Sequence, residues 1–135
     1  MKVNNNQKEF LYQAMKFGIV GVLNTLLTLF IIWICLRLFH WSDTVSNVVG
    51  YGLGVINSFF WNRKWTFAYK GKLSTSFTKF IVVFIVSYLV QLGVLQLLLR
   101  YLHTDNYYCH LLAMVVYTVI NFSLNKIFTF KNKTE

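Results

Sequence analysis

Uncharged, mainly apolar residues run from Phe17 to Leu36, Val45 to Trp61, Phe80 to Leu99 and Tyr107 to Leu124, and none of these stretches contains Lys, Arg, Asp or Glu. Short polar breaks follow the first and third, and a longer basic one follows the second. A helix needs roughly 17 to 25 such residues to cross the hydrocarbon of a bilayer. Lipid offers the backbone no hydrogen bonds, so a spanning segment is either a helix or a strand of a closed barrel. An unbroken apolar run lacks the alternation of a barrel strand. The pattern therefore predicts an all-α polytopic membrane protein with four transmembrane helices, at about 17–36, 45–61, 80–99 and 107–124. Proline is absent, so no helix is expected to carry a proline kink.

Composition agrees with the pattern. Of 135 residues, 56% are hydrophobic and only 13% charged, which is too apolar for a water-soluble domain of this length and bounds the chain to one domain. Charge adds orientation. Eleven of the 13 cations fall in the N-terminal tail, the loop between the second and third helices, and the C-terminal tail, leaving Arg37 and Arg100 for the other side. By the positive-inside rule both termini and the central loop are cytoplasmic. A net charge of +9 also raises nucleic acid as a partner, but the cations sit beside membrane ends and no nucleic-acid fold signature is present. Membrane lipid headgroups are the expected counter-charge. The first apolar run is longer than the core of a signal peptide, and "RLFHWSD" after it offers no small-x-small cleavage site, so a retained first helix is expected. Cys35 and Cys109 near the outer helix ends fit either a disulfide or two small apolar residues in the bundle.

The chain repeats itself at a shift of 63 residues. Lys16-Phe17 falls on Lys79-Phe80, Asn24 and Thr28 on Ser87 and Gln91, Arg37 and His40 on Arg100 and His103, and "NRKWTF" from Asn62 on "NKIFTF" from Asn125. Asn57 pairs with Asn121 if the register slips by one residue there, and Asp43 with Asp105 if it slips the other way. The repeat units run from about 16 to 67 and 79 to 130. Each holds two spanning helices, an even number, so the repeats are parallel and related by an axis near the membrane normal.

Polar residues inside the spans mark candidate chemistry. Asn24 and Thr28 share a face with Gly21 in the first helix, Ser87 and Gln91 stand likewise in the third, and Thr118, Asn121 and Asn125 form a stripe in the fourth. Such residues commonly tie membrane helices together by hydrogen bonds averaging about 0.6 kcal/mol. Here they also gather toward one end of the spans, behind Lys16, Arg63, Lys64, Lys79 and Lys126. Amides and hydroxyls suit sugar hydroxyls, and the cations suit phosphate. Ser46, Gly50, Gly54 and Ser58 form a small-residue row that lets a second helix approach, within the bundle or across a homodimer. The aromatics of "WNRKWTFAY" fit an interfacial belt. The fixed order Asn, cation, aromatic, Thr, Phe in both units further suggests a tight turn, with Asn62 and Asn125 capping helix ends and Thr66 and Thr129 holding the backbone beyond. On the other side, Arg37, His40, Arg100 and His103 fit either local salt bridges or a weak outer anion site.

Several functions are disfavoured. No acid lies within a span, so proton-driven export lacks its coupling residue. No nucleotide loop, carboxylate pair or nucleophile with a neighbouring base is present, so an enzyme is not expected. The histidines and aspartates do not complete a metal-ligand set, and nothing implies a cofactor.

"KFGIVGVLNTLLTL", "VINSFFWNRKWTF", "TKFIVVF" and "NFSLNKIFTF" resemble the GtrA-like family of small four-helix bacterial membrane proteins, over about Tyr12 to Phe130. The resemblance implies a role in glycosylating cell-surface polysaccharide or teichoic acid, by flipping a polyprenyl-phosphate-linked sugar across the cytoplasmic membrane. It also implies a membrane glycosyltransferase as partner. Carried over residue by residue, it points to Asn24, Asn57, Asn62, Lys79, Asn121, Asn125 and Lys126. Two rival readings are a non-transporting membrane partner that anchors or stabilises such a transferase, and a dimeric exporter of small molecules.

Overall fold

The computed structural model describes residues 5–102 and 106–131, without the side chains of residues 106 and 107. Helix α1 spans Asn5–Arg37, α2 Asp43–Trp61, α3 Leu73–Tyr101 and α4 Asn106–Leu124. One π-helical turn continues α2 over Asn62–Thr66, and another continues α4 over Asn125–Thr129. The chain divides into two units, Met1–Ala68 and Tyr69–Glu135. Each consists of a long helix, an antiparallel shorter one packed along it, and a terminal π turn.

The all-α prediction stands, with longer helices than the apolar runs alone delimit. α1 begins at Asn5 and α3 at Leu73, because hydropathy registers the hydrocarbon and a helix can continue past it. α1, α3 and Tyr108–Thr129 are long and apolar enough to cross a membrane. α2 falls short of that measure because Asn47, Asn57 and its serines and glycines dilute it. It is held instead along α1, and it opens with an N-cap in which the Ser42 hydroxyl accepts from the Val45 N–H at 3.4 Å. Asp43 in its first turn suits the positive end of the helix dipole.

The distribution of polarity is that of a membrane protein. Leu26, Leu29, Phe30 and Trp33 on α1 and Leu89, Leu97 and Tyr88 on α3 are all exposed. The buried positions include Ser46, Asn62, Thr66, Ser76, Ser87, Asn125 and Thr129. An apolar exterior around hydrogen-bonded polar groups is stable where the surroundings are lipid.

The small-residue row packs inside unit 1. A Cβ on Gly50 would come within 2.5 Å of Ile32 Cγ1 and 3.2 Å of the Thr28 carbonyl oxygen, and one on Gly54 would collide with the Thr28 hydroxyl. With Ser46 fully buried, the row is filled by α1, so it is no free face for a second chain. The register slip that pairs Asn57 with Asn121 is corrected by burial. At a uniform shift of 63, Ser46 and Gly50 fall on Cys109 and Ala113, all buried, and Phe59 falls on buried Phe122. The row is thus half repeated. Cys109 and Ala113 pack against Leu95 and Leu98 in unit 2, and both cysteines are buried free thiols.

These contacts separate the glycines into two classes. Gly50→Ala and Gly54→Ala should each destabilise the detergent-solubilised protein by about 1–3 kcal/mol through overpacking. Gly18→Ala, Gly21→Ala and Gly52→Ala, where an added Cβ meets nothing within 4 Å, should be neutral or stabilising by about 0.5–1 kcal/mol. Thermal unfolding followed by circular dichroism checks the contrast.

Candidate functional site

Each unit ends in the same clasp. In unit 1 the Lys16 ammonium donates to the Trp65 carbonyl at 3.2 Å, and in unit 2 the Lys79 ammonium donates to the Phe128 carbonyl at 3.4 Å. The next residues repeat the match: the Phe17 ring lies 6.3 Å from Phe67, and Phe80 lies 6.2 Å from Phe130. The last carbonyls of any helix lack a partner within it and carry partial negative charge. A lysine from the neighbouring helix answers both deficits, and aromatic faces enclose its charge. Lys16 lies 4.2 Å from the Tyr12 ring centroid and 5.3 Å from that of Trp65, and Lys79 lies 4.9 Å from that of Phe128.

The π turns correct the expectation that Asn62 and Asn125 cap helix ends. The Phe67 N–H reaches the Asn62 carbonyl at 2.9 Å and the Phe130 N–H reaches that of Asn125 at 2.8 Å. The helix is thus widened by one residue rather than stopped. Unit 1 then turns away at Ala68, whose φ of 46° is left-handed. Widening carries Phe67 and Phe130 inward, to 4% and 3% exposure, so they belong to the core. Trp61, Trp65 and Phe128 remain exposed as belt residues.

Side-chain hydrogen bonds support the first turn. The Asn62 amide donates to Ser58 Oγ at 3.2 Å, and the Thr66 hydroxyl donates to Asn62 Oδ1 at 2.9 Å. In unit 2 the Asn125 amide donates to both the backbone oxygen and Oδ1 of Asn121, each at 2.9 Å. Ser58 and Asn121 both stand four residues before the asparagine of their turn, which places them on its face, only about 40° round the helix. Asn57 stands five residues before Asn62, about 140° round, and so faces α1. Its amide donates to Asn24 Oδ1 at 3.3 Å. Asn57 therefore has no equivalent in Asn121, and the uniform shift puts Ile120 in its place.

The remaining candidates divide by location. Arg63 and Lys126 are half-buried on the π turns, and Lys64 is exposed. Thr28 is buried beside Gly54, whereas Gly21 is exposed on the open side of α1 and takes no part in that face. Thr118 is exposed and bonds back to the Met114 carbonyl, so the buried stripe of α4 is Asn121 and Asn125 alone. Arg37 and His40 are exposed at the opposite end of unit 1, His40 with a φ of 53°. Arg100 lies 5.7 Å from the Tyr101 ring. His103 and Asp105 lie outside the described residues. A cavity of about 130 Å³ in unit 1 is lined by Val20, Leu23, Asn57, Trp61 and Trp65.

The two kinds of asparagine should separate by stability. Asn62→Ala leaves the half-buried Ser58 and the buried Thr66 without their partner and should cost about 1–3 kcal/mol. Asn57→Ala removes one half-buried interhelical bond and should cost about 0.6 kcal/mol. Chemical denaturation in detergent measures both.

Residues 16–130 match the family described as GtrA/DPMS, transmembrane domain. An uncharacterized membrane protein of Bacillus subtilis, YngA, is 35% identical over 128 residues, covering 91% of this chain and 82% of the relative. The cell wall teichoic acid glycosylation protein GtcA of Listeria monocytogenes is 23% identical over 118 residues, covering 84% of this chain and 81% of the relative. A match over nearly the whole chain, joined to several apolar spans and bacterial relatives, makes this a multi-pass bacterial membrane protein that belongs to the GtrA/DPMS transmembrane-domain family.

Proposed function

We propose that the chain carries a polyprenyl-phosphate-linked monosaccharide across the cytoplasmic membrane for glycosylation of a cell-surface polymer of the teichoic acid class. The observation that supports this most is the repeated clasp, Lys16 on the Trp65 carbonyl and Lys79 on that of Phe128. In each unit it sets a cation at the basic end of an apolar helix pair with buried amides behind it. The ammoniums suit the lipid phosphate, and Asn24 and Asn57 suit sugar hydroxyls leaving water. An apolar exterior leaves the polyprenyl tail in lipid.

The basic ends face the cytoplasm in this reading, where a membrane glycosyltransferase makes the donor. Direction comes from a second transferase that consumes the sugar outside, because no acid lies in the spans to couple a proton. The chain itself breaks and forms no covalent bond. The name of the relative GtcA, a cell wall teichoic acid glycosylation protein, supports the polymer class in this reading. The rival role, a membrane partner that anchors or stabilises such a transferase, predicts that the Ser46, Gly50, Gly54 and Ser58 row matters more than the basic residues; α1 packs on Gly50 and Gly54 of that row.

Proteoliposomes holding purified protein and a labelled polyprenyl-phosphate sugar test the proposal. Wild type should equilibrate the label between leaflets, and Lys79→Ala or Asn57→Ala should slow this at least tenfold. No translocation by wild type beyond protein-free vesicles would overturn the reading.

A further inference from the structure

The cavity of unit 1 lies between α1, which supplies Val20 and Leu23, and the end of α2 with its π turn, which supplies Asn57, Trp61 and Trp65. Four of these five walls are apolar. The fifth, Asn57, directs its amide to Asn24. A cation stands near one wall: Lys16 Nζ lies 5.3 Å from the ring centroid of Trp65. An ammonium has three donors; the Trp65 carbonyl takes one and the Tyr12 ring lies 4.2 Å from the same charge, so an anion would share the ammonium with both.

Size and polarity select the occupant. An apolar cavity of about 150 Å³ holds benzene, so one of about 130 Å³ suits a five-carbon group. A hexose has about twice the heavy atoms of benzene, and its hydroxyls would meet a single amide, leaving buried polar groups unpaired. The two indoles stand at 83° with centroids 6.3 Å apart, a corner in which a methyl-branched group can touch both. A straight methylene chain leaves gaps there and forfeits dispersion contacts.

We infer that this cavity seats the phosphate-proximal isoprene unit of a polyprenyl phosphate, with the Lys16 ammonium on its phosphate. The inference rests on the proposed translocation and assigns to this cavity the lipid end of that substrate, leaving its sugar to the polar side chains outside the apolar walls. The corresponding residues of unit 2 differ: Trp61 and Trp65 fall on Leu124 and Phe128, so the indole pair belongs to unit 1 alone.

Tryptophan emission tests the seat. In a Trp33→Phe, Trp41→Phe background the signal comes from Trp61 and Trp65, because the chain has four tryptophans. Geranyl phosphate, with two isoprene units, should change that emission saturably. Dodecyl phosphate should bind at least fivefold more weakly, and inorganic phosphate should leave the emission unchanged. Leu23 is 58% exposed, so Leu23→Phe can fill the cavity without touching the core; it and Lys16→Gln should each weaken geranyl phosphate at least tenfold. Equal affinity for geranyl and dodecyl phosphate, a comparison needing no cavity variant, would overturn the seat, as would full affinity in folded Leu23→Phe. If geranyl phosphate binds as stated but proteoliposomes fail to move the lipid-linked sugar, the seat stands and the translocator reading falls. If Leu23→Phe loses geranyl phosphate yet translocates at the wild-type rate, the cavity binds isoprenyl phosphate but its assignment to the transported substrate is overturned, and translocation stands.

Discussion

A helix that widens by one residue before ending must find partners for the carbonyls left open at its end. The clasp meets this constraint. Lys16 and Lys79 reach across from the partner helix to a carbonyl inside each π turn, and the phenylalanine after each lysine packs on the phenylalanine that closes the turn. These contacts fix where the first helix of a unit lies against the second. That placement sets Thr28 under Gly54 and Asn24 beside Asn57, and opens the cavity walled by Trp61 and Trp65. The ammonium that holds the fold is also a charge at the basic end, so structure and the proposed phosphate contact draw on the same group.

The units are built alike but satisfied differently. In unit 1, Asn62 donates to Ser58 and accepts from Thr66, so its amide is used in both directions. In unit 2, Asn125 turns its amide onto Asn121, and Asn125 Oδ1, Thr129 Oγ1 and Ser87 Oγ are buried without a hydrogen-bond partner among the described residues. Each such group carries a desolvation cost of about 1–3 kcal/mol, and unit 1 carries one of its own in Ser46 Oγ. The exchange of Ser58 for Asn121 goes with a different turn: the Asn121 amide oxygen and backbone carbonyl together hold the Asn125 amide, and Thr129 Oγ1 is left without the bond that Thr66 makes in unit 1.

Much of the architecture was legible in the sequence, because charge-free apolar runs of about 20 residues leave the backbone one economical conformation. The repeated words were legible too, yet their use was not. "KF" and "TF" recur with a constant spacing of 50 residues from Lys16 to Thr66 and from Lys79 to Thr129, and that constancy was the available signal that the start of one helix holds the end of the next. Hydropathy carries no information about an i to i+5 hydrogen bond, so the π turns read as caps. Matching asparagine to asparagine misled the register at Asn57, because identity of residue was weighed above burial. Ser58 and Asn121 differ in type but share a position, whereas Asn57 and Asn121 share a type and face different ways.

That distinction decides which polar residues the fold itself explains. Asn62 and Asn125 are buried at 2% and 0% exposure, and their side chains tie the π turns to the preceding helical turn. Asn57 is different. It lies outside the π-turn network, the second unit has Ile120 in its place, and its one bond runs to an equally half-buried Asn24. Two amides facing each other between apolar helices return little stability, about 0.6 kcal/mol for a typical bond of this kind, while diluting the one helix already least suited to the membrane. Packing alone would favour an aliphatic residue at that position, as the second unit has. A polar pair that the fold does not require, at the edge of a cavity with a cation near one wall, is where contact with a substrate has the strongest physical claim.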